Sequence, residues 1–443
     1  MKKELIFTAA MLFFAAGARA GWTLQQCIDH AMKNNITLQK ARLEGQSAQE
    51  DVKGARGALL PTVSASTNQS LGYQPWKDNG ITTVTNGTVN TKIDKAYYNG
   101  SYGLNAQWTV WNGNRNLNTL KLNKLTAEQQ ALQAEVTANS IQEQIAQLYV
   151  QILYLTEAVR VNEQSLETSR KNEERGKEML EVGKMSRADV AQLSAQRASD
   201  EYNIVESRAN ISKYKLQLKQ LLELDGTQDF DIVVPPTTDS QALADIPDLQ
   251  AVFEQAMTTR PEIRSSELAV KSSELSIKSA KAGWLPTVNM TGGVGTNTNS
   301  LSSNAWGTQL KTNFDASAGV SVSIPIFDGR QTKTNVNKAR IRREQAVLDM
   351  QDSRKMLYQT IENFWLDAVT NQQKFRSATL TEQSEQQSYD LLSEQFRLGL
   401  KNIVELMTGK DRLLAAQQSK LQSKYLTILA QQMLSFYAGE EIK

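Results

Sequence analysis

The pentapeptide LLPTV at 59–63 has a counterpart, WLPTV, at 284–288. Each is followed by a polar stretch that ends in a glycine turn, TVWNG at 109–113 in the first case and PIFDG at 325–329 in the second. Recurrence of the same short motifs in the same order indicates an internal repeat. We therefore expect a fold built from two copies of one supersecondary unit.

A third pair of glycine turns defines the spacing inside each copy. The tripeptide EVG at 181–183 is matched by RLG at 397–399, and each turn glycine lies 70 positions after the preceding motif glycine. A constant spacing over such long segments is hard to obtain without duplication. We predict a first structural repeat at 21–226, a linker at 227–248 and a second structural repeat at 249–443.

The first 20 residues have the organisation of a secretory signal peptide. Lys2 and Lys3 precede an apolar run, Leu5–Ala16, and small residues at 18–20 supply a cleavage site. The alternative is a short membrane anchor, but a spanning helix needs about 20 apolar residues, more than this run contains. The mature chain is therefore expected to begin at Gly21, outside the cytoplasm.

The composition offers little material for catalysis. A net charge of +2 leaves no basic surface for nucleic acid. The single histidine, His30, and the single cysteine, Cys27, are too few for a metal centre or a catalytic triad. We therefore expect no enzyme activity, no cofactor, no metal, no nucleic-acid partner and a free thiol at Cys27.

Long helices are expected to occupy most of each copy. Between Asn114 and Leu180 the chain has no proline, and apolar residues from Ile141 to Val159 step by four and three, as in a coiled coil. A helix of this length measures about 100 Å, which suits a rod or a tube that bridges a distance. Further helices are expected at 22–56, from 184 to about 224 and at 249–282. In the second copy, a long helix is expected to end at 398 and another helix to end at 437.

Four segments have the alternating pattern of β-strands: 61–70, 101–111, 286–295 and 316–326. Apolar side chains alternate with Ser, Thr, Asn, Gln or Gly, and the first three segments contain no acidic or basic residue. An apolar face opposite a small polar face matches a membrane β-barrel, with lipid outside and water inside. A soluble β-sandwich is the alternative, although its wet face would normally carry charges.

Oligomerisation follows from the number of these strands. Four strands cannot close a barrel, and an open sheet edge cannot exist in hydrocarbon. Two chains would give eight strands with a nearly filled interior, whereas three chains would give twelve strands and a lumen. The small, wettable inward face favours a homotrimer.

The order helix, β-hairpin, long helix, helix, found twice, resembles the TolC family of outer-membrane efflux proteins. Leu285-Pro286, the motif at 325–329 and Arg260-Pro261-Glu262 add to this resemblance, which covers essentially the whole mature chain. It implies an α+β membrane protein: a trimeric 12-stranded β-barrel in lipid of the cell outer membrane, continued by a periplasmic α-helical coiled-coil tunnel. Each of its two internal repeats would be helix–β-hairpin–long helix–helix.

The same resemblance implies a function. The channel would be the exit duct of a tripartite efflux or type I secretion system, docked to a periplasmic adaptor (membrane fusion) protein and an inner-membrane transporter. The alternative is a secreted periplasmic coiled-coil adaptor or structural protein without a pore. An adaptor would usually show one helical hairpin flanked by soluble β-domains rather than two hairpins each followed by helices.

The glycine turns of the helical parts are the candidate docking region. In the TolC family the corresponding turns form the periplasmic tip. The resemblance therefore assigns adaptor docking to residues in and beside the two turns, namely Val182, Gly183, Ser186, Leu398, Gly399 and Asn402.

The family pattern also suggests a periplasmic gate. It has a hydroxyl residue three positions after the turn glycine and an acid six positions after it. Ser186 and Asp189 match this pattern, whereas Asn402 replaces the hydroxyl residue before Glu405. The gate would then consist of Asp189, Lys401 and Glu405, with Lys401 reaching an acid such as Asp189. Alternatively, Ser186 and Asp189 only cap the next helix, and both roles can coexist.

Overall fold

The structure is a computed structural model that describes residues 21–76, 79–84, 87–92, 94–226 and 229–442. The predicted signal peptide at 1–20 lies outside these residues. The α-helices of the described residues are α1 Leu24–Asn34, α2 Ile36–Gly57, α3 Arg115–Glu181, α4 Arg187–Leu221, α5 Asp239–Ala242, α6 Leu249–Thr259, α7 Pro261–Lys281, α8 Trp306–Thr312, α9 Gln331–Arg397 and α10 Ile403–Tyr437. The strands of the described residues are β1 Thr62–Tyr73, β2 Asn79–Val84, β3 Gly87–Lys92, β4 Ala96–Trp111, β5 Thr287–Asn299 and β6 Asp315–Ser323.

The long helices have matching lengths in the two halves of the chain. Helices α3 and α9 each contain 67 residues, and α4 and α10 each contain 35. Both long helices follow a glycine with positive φ, Gly113 at 67° and Gly329 at 60°, a conformation that glycine adopts without steric cost. The equal lengths agree with a duplication, while the outer boundaries of the repeats stay a prediction.

The main sheet is antiparallel, with the strand order β1-β4-β5-β6. The strand expected at 316–326 ends at Ser323, shortly before Pro325, which has no N–H to donate to a ladder. The four predicted segments supply the four strands of this sheet, whereas the two further strands, β2 and β3, were not predicted. Strands β2 and β3 form a separate two-stranded sheet in the connection after β1, where frequent Asn and Gly hide the alternation.

The register of the sheet collects the apolar residues on one face. Ala106 lies opposite Val63, Leu104 lies opposite Val294, and Met290 lies opposite Val320. The other face pairs small polar residues in the same way, for example Asn105 with Ser64 and Ser321 with Asn289. The two-faced pattern expected from the sequence is therefore continuous across all four strands.

Two helices that the sequence predicted as continuous are each divided. The first breaks at Asn35, which is extended (φ −61°, ψ 123°) and whose side chain donates to the Leu221 carbonyl at 2.9 Å. The second breaks at Arg260 (φ −78°, ψ 126°), because the residue before a proline is disfavoured in the helical conformation. Each break places two shorter helices before a β-hairpin.

The chain divides into two compact units, one made of Ala131–Ser266, Met350–Lys443 and the chain up to Leu43, the other of Glu44–Gln130 and Glu267–Asp349. The first unit has a core of aliphatic and aromatic side chains, in which Ile145, Ile152 and Met433 are fully buried. The buried stripe of α3 includes Tyr149 as well as the predicted isoleucines. Cys27 is a free, buried thiol in this core, as expected.

The second unit contains the four-stranded sheet and the helix segments that adjoin it in sequence. Its buried side chains are mostly small, including Ala48, Ala55, Ala127, Ala282 and Ala339. Small residues allow helix backbones to approach each other closely. Among the described residues, no helix is long and apolar enough to cross a membrane.

Candidate functional site

The first candidate turn joins α3 to α4 through Gly183. This glycine has a φ of 74°, and the next N–H, that of Lys184, donates to the Met179 carbonyl at 2.8 Å. This six-to-one hydrogen bond with a left-handed glycine is the Schellman ending of a helix. Substituting Gly183 would strain the backbone even though a Cβ there would meet no atom of the described residues within 4 Å.

Ser186 and Asp189 form a reciprocal cap at the start of α4. The Asp189 N–H donates to Ser186 Oγ at 3.1 Å, and the Ser186 N–H donates to Asp189 Oδ2 at 3.2 Å. Both satisfy N–H groups that a helix start leaves without partners. The capping alternative from the sequence is therefore correct as a structural description, and it leaves a carboxylate fixed near the turn.

The second turn repeats this geometry between α9 and α10. Gly399 has a φ of 74°, and the Leu400 N–H donates to the Gln395 carbonyl at 2.9 Å. Asn402 caps α10 through its side-chain oxygen, which accepts the Glu405 N–H at 2.9 Å. The amide of Asn402 thus performs the capping role that the hydroxyl of Ser186 performs in the first turn.

Within the chain, Lys401 pairs with the acid of its own turn. Its Nζ donates to Glu405 Oε1 at 2.6 Å, while Asp189 accepts hydrogen bonds from Ser186. The hydrogen bond from Lys401 holds the pKa of the Glu405 carboxyl below its usual range. Within the chain, the two acids therefore have different environments, one beside a cation and one beside a hydroxyl.

Both turns expose apolar side chains. Val182 is 68% exposed and Leu398 is 65% exposed, and each precedes its turn glycine directly. Leu400 and Val404 are also exposed on the second turn. Paired exposed apolar residues beside a rigid glycine turn are suited to contact with another protein.

A small apolar cluster holds the second turn in place. It contains Phe396 from the end of α9, Ile403 and Leu406 from the start of α10, and Leu193 from α4. Because α4 belongs to the first half of the chain, this cluster connects the helix pairs on which the two turns lie. The turns are therefore presented on a packed support.

Sequence reasoning missed a buried polar group just behind this cluster. Lys410 Nζ pairs with Asp200 Oδ2, and the hydroxyl of Ser169 donates to the same oxygen at 2.5 Å. One signal was present: Lys410 continues the stripe of Leu406 and Leu413 at helical spacing, so a charge falls among core positions.

The family of the chain follows from a direct comparison. The family model described as outer membrane efflux protein matches residues 27–223 and 252–440, one stretch in each predicted repeat. The chain belongs to this family. The resemblance noted in the sequence is confirmed.

Individual relatives agree over nearly the whole length. The outer membrane efflux protein BepC of Brucella suis is 22% identical over 435 residues, covering 97% of this chain and 88% of the relative. The outer membrane protein TolC of Escherichia coli is 21% identical, covering 92% of this chain and 80% of the relative. The crystal structure of CusC has a TM-score of 0.81 at 17% identity and covers 97% of this chain.

The protein is accordingly an outer-membrane channel through which substrates leave in efflux or secretion, and it extends into the periplasm. Family members are channel proteins rather than enzymes. The alternative of a secreted adaptor or rod without a pore is wrong, since the efflux-channel model spans both halves of the chain.

Proposed function

We propose that three copies of this chain form one channel, with a 12-stranded β-barrel in the outer membrane and an α-helical tunnel in the periplasm. The observation that carries the proposal is the sheet itself. Strands β1 and β6 are its edges, and among the described residues each of them is paired on one side only. Because hydrocarbon cannot satisfy free backbone groups, β1 of one protomer would pair with β6 of the next.

The two turns are the proposed docking surface for a periplasmic adaptor, which would connect the channel to an inner-membrane transporter. Val182, Gly183 and Ser186 would act in the first turn, and Leu398, Gly399 and Asn402 in the second. The exposed apolar side chains would supply contact area, while the glycines would allow close approach of the adaptor backbone.

The proposed gate consists of Asp189, Lys401 and Glu405. Three copies would place acidic side chains around a common axis, where they would favour cations and repel one another. The Lys401–Glu405 pair would offset part of this repulsion in the resting channel. Docking of the adaptor would then shift the helices that begin at these turns.

Disulfide trapping tests the trimer. A fixed Ser321→Cys on β6 would be combined with single cysteines along β1, at Ser64, Ser66 and Asn68, all on the polar face. Burial raises the pKa of the Cys27 thiol to about 12, so the native cysteine should not interfere.

We expect one position on β1 to give a ladder that stops at three linked chains. The matched control is Val63→Cys with Ser321→Cys, which places the thiols on opposite faces. A ladder that stops at two chains, or no inter-chain bond at any position, would contradict the trimer.

A further inference from the structure

The second unit contains a cavity of about 660 Å³ at the start of α9. Its polar wall includes residues from α7, from the beginning of α3 and from the first three turns of α9. The residues that matter here are Arg115, Ser276, Asp328, Thr332, Lys338 and Arg342. We call this space the cationic cavity.

The charges around the cationic cavity are unbalanced. Arg115, Lys338 and Arg342 form no ion pair with any carboxylate of the described residues, whereas the neighbouring Arg343 does pair, with Glu274. Asp328 is the single acid in the wall, and its Oδ2 accepts the Thr332 N–H at 2.7 Å. The wall therefore carries three cations and one acid, a net charge of +2.

This arrangement is not a requirement of the repeated fold. Gly113 and Gly329 are equivalent and lie 216 positions apart, so Lys338 and Arg342 correspond to Leu122 and Thr126 in the first copy. The packing at the start of the long helix is nevertheless similar in the two copies. Asn116 of α3 donates to the Ala58 carbonyl, and its equivalent in α9, Thr332, lies against Gly283. Lys338 and Arg342 thus have uncharged equivalents in the first copy, so the repeated fold does not require these two cations.

The cationic cavity lies at one end of the sheet. Thr287 at the start of β5 pairs with Ser323 at the end of β6, and both strands adjoin the cavity-lining helices in sequence. Between β6 and α9, Ile326 is 97% exposed and Phe327 is 89% exposed. Trp284 is exposed just before β5, and tryptophan is typical of the boundary between hydrocarbon and headgroups.

We propose that the cationic cavity binds the phosphate of an anionic glycerophospholipid in the periplasmic leaflet of the outer membrane. Arg342 and Lys338 would hold the phosphate oxygens, for which arginine in particular has a matching fork of donors. The acyl chains would extend along Ile326 and Phe327 into the bilayer.

The inference rests on the membrane insertion of the sheet proposed above, and therefore on the trimer that closes the barrel, but it does not need the adaptor. It is also independent of the turns, because none of the cavity residues belongs to the unit that carries them. Insertion and lipid retention are therefore measured separately in the same samples.

Native mass spectrometry of the full-length protein tests the proposal. Wild type, Lys338→Gln/Arg342→Gln and the control Lys333→Gln/Arg340→Gln are purified from bilayers that contain phosphatidylglycerol or phosphatidylcholine. The control removes the same charge from exposed positions of α9 that do not line the cavity.

Wild type and control should retain phosphatidylglycerol in preference to phosphatidylcholine, and the cavity variant should retain about 10- to 30-fold less of it. Equal retention by all three proteins, with normal insertion, would overturn the proposal.

Inorganic phosphate is the second probe. If millimolar phosphate stabilises wild type but not the cavity variant, and no lipid is retained, the site binds a free anion and the lipid assignment is wrong. Failure of wild type to insert would instead contradict the membrane placement of the sheet.

Discussion

Lys410 of α10 and Asp200 of α4 form an ion pair in which the side chains are 5% and 2% exposed. Helix α4 belongs to the first half of the chain and α10 to the second, so the pair bonds the two halves to each other. Burial of two charges is costly, and this cost is offset only when the partners stay together. The pair therefore favours one alignment of α4 against α10, close to the candidate docking turns.

Lys410→Met should destabilise the protein by about 3–5 kcal/mol, because it leaves the Asp200 carboxylate buried without its partner. Asp200→Leu combined with Lys410→Met should recover most of this loss. Urea unfolding followed by circular dichroism measures both. Lys171→Met, which removes an exposed pair with Glu167, is the control and should cost less than about 1 kcal/mol. A double variant no more stable than the single variant would contradict the account.

Gly399 should tolerate asparagine but not tryptophan. Its φ of 74° costs an ordinary L-residue about 1–2 kcal/mol, and asparagine less, while no atom blocks a Cβ. Gly399→Asn should therefore keep efflux, and Gly399→Trp should abolish it by obstructing the adaptor, with assembled protein unchanged in the membrane. Drug susceptibility of cells and immunoblots of the outer membrane provide the readouts. Normal efflux by the tryptophan variant would place adaptor docking elsewhere.

Arginine should be far more harmful at Val322 than at Ser321. Val322 pairs with Val288 on the apolar face, and Ser321 pairs with Asn289 on the polar face. An arginine that faces lipid near the middle of the membrane costs about 2–4 kcal/mol, whereas one in a wet lumen costs much less. The amount of heat-resistant oligomer in outer-membrane extracts measures the difference. Equal losses for the two variants would mean that the faces are assigned wrongly.

Channel recordings address the gate. The Lys401–Glu405 pair is partly exposed and screened by solvent, so it gives only a shallow bias that docking could overcome. In planar bilayers, Lys401→Glu should raise the opening frequency, and Glu405→Gln should weaken cation selectivity. Lys184→Glu, the same charge change on the first turn, is the control. If both gate variants conduct like the parent, other residues form the constriction.

Lowering the pH should destabilise the helices behind the turns, because it protonates Glu173. The hydrogen bond from Lys177, followed by those from Ser194 and Arg197, holds the pKa of Glu173 below its ordinary value of 4.5. A carboxyl with a lowered folded-state pKa stabilises the fold above its unfolded pKa and loses that contribution as the pH falls through the folded value.

The melting temperature of wild type should therefore fall between about pH 5 and pH 3 by more than that of Glu173→Gln. Glu174→Gln, at the adjacent exposed position, should behave like wild type. Parallel curves for wild type and Glu173→Gln would show that this cluster does not contribute to acid sensitivity.

Local sequence was enough to predict the ends of the long helices and the two faces of the sheet. Gly183 and Gly399 mark helix ends because a positive φ is a local property of the chain. The alternation around Val322 is also local, since successive side chains of a strand point to opposite faces. The register then confirmed what the alternation predicted.

The missed features depend on residues that are distant in sequence. Asn35 interrupts a helix because its amide bonds the Leu221 carbonyl, 186 positions away. The stripe of Leu406 and Leu413 marks Lys410 as a core position, but its partner Asp200 is known only when α4 lies against α10. Arg260 is the exception, because the proline that follows it is a local signal that was available in the sequence.

The equal lengths of α3 and α9, and of α4 and α10, constrain how this chain can change. One residue added to α3 alone would advance its turn by about 1.5 Å and rotate all of α4 by about 100°. Leu193 would then leave Phe396 and Ile403, and Asp200 would leave Lys410. Insertions and deletions in these helices should therefore be tolerated only in compensating pairs. A change of length in one half of the chain thus requires the same change in the other half.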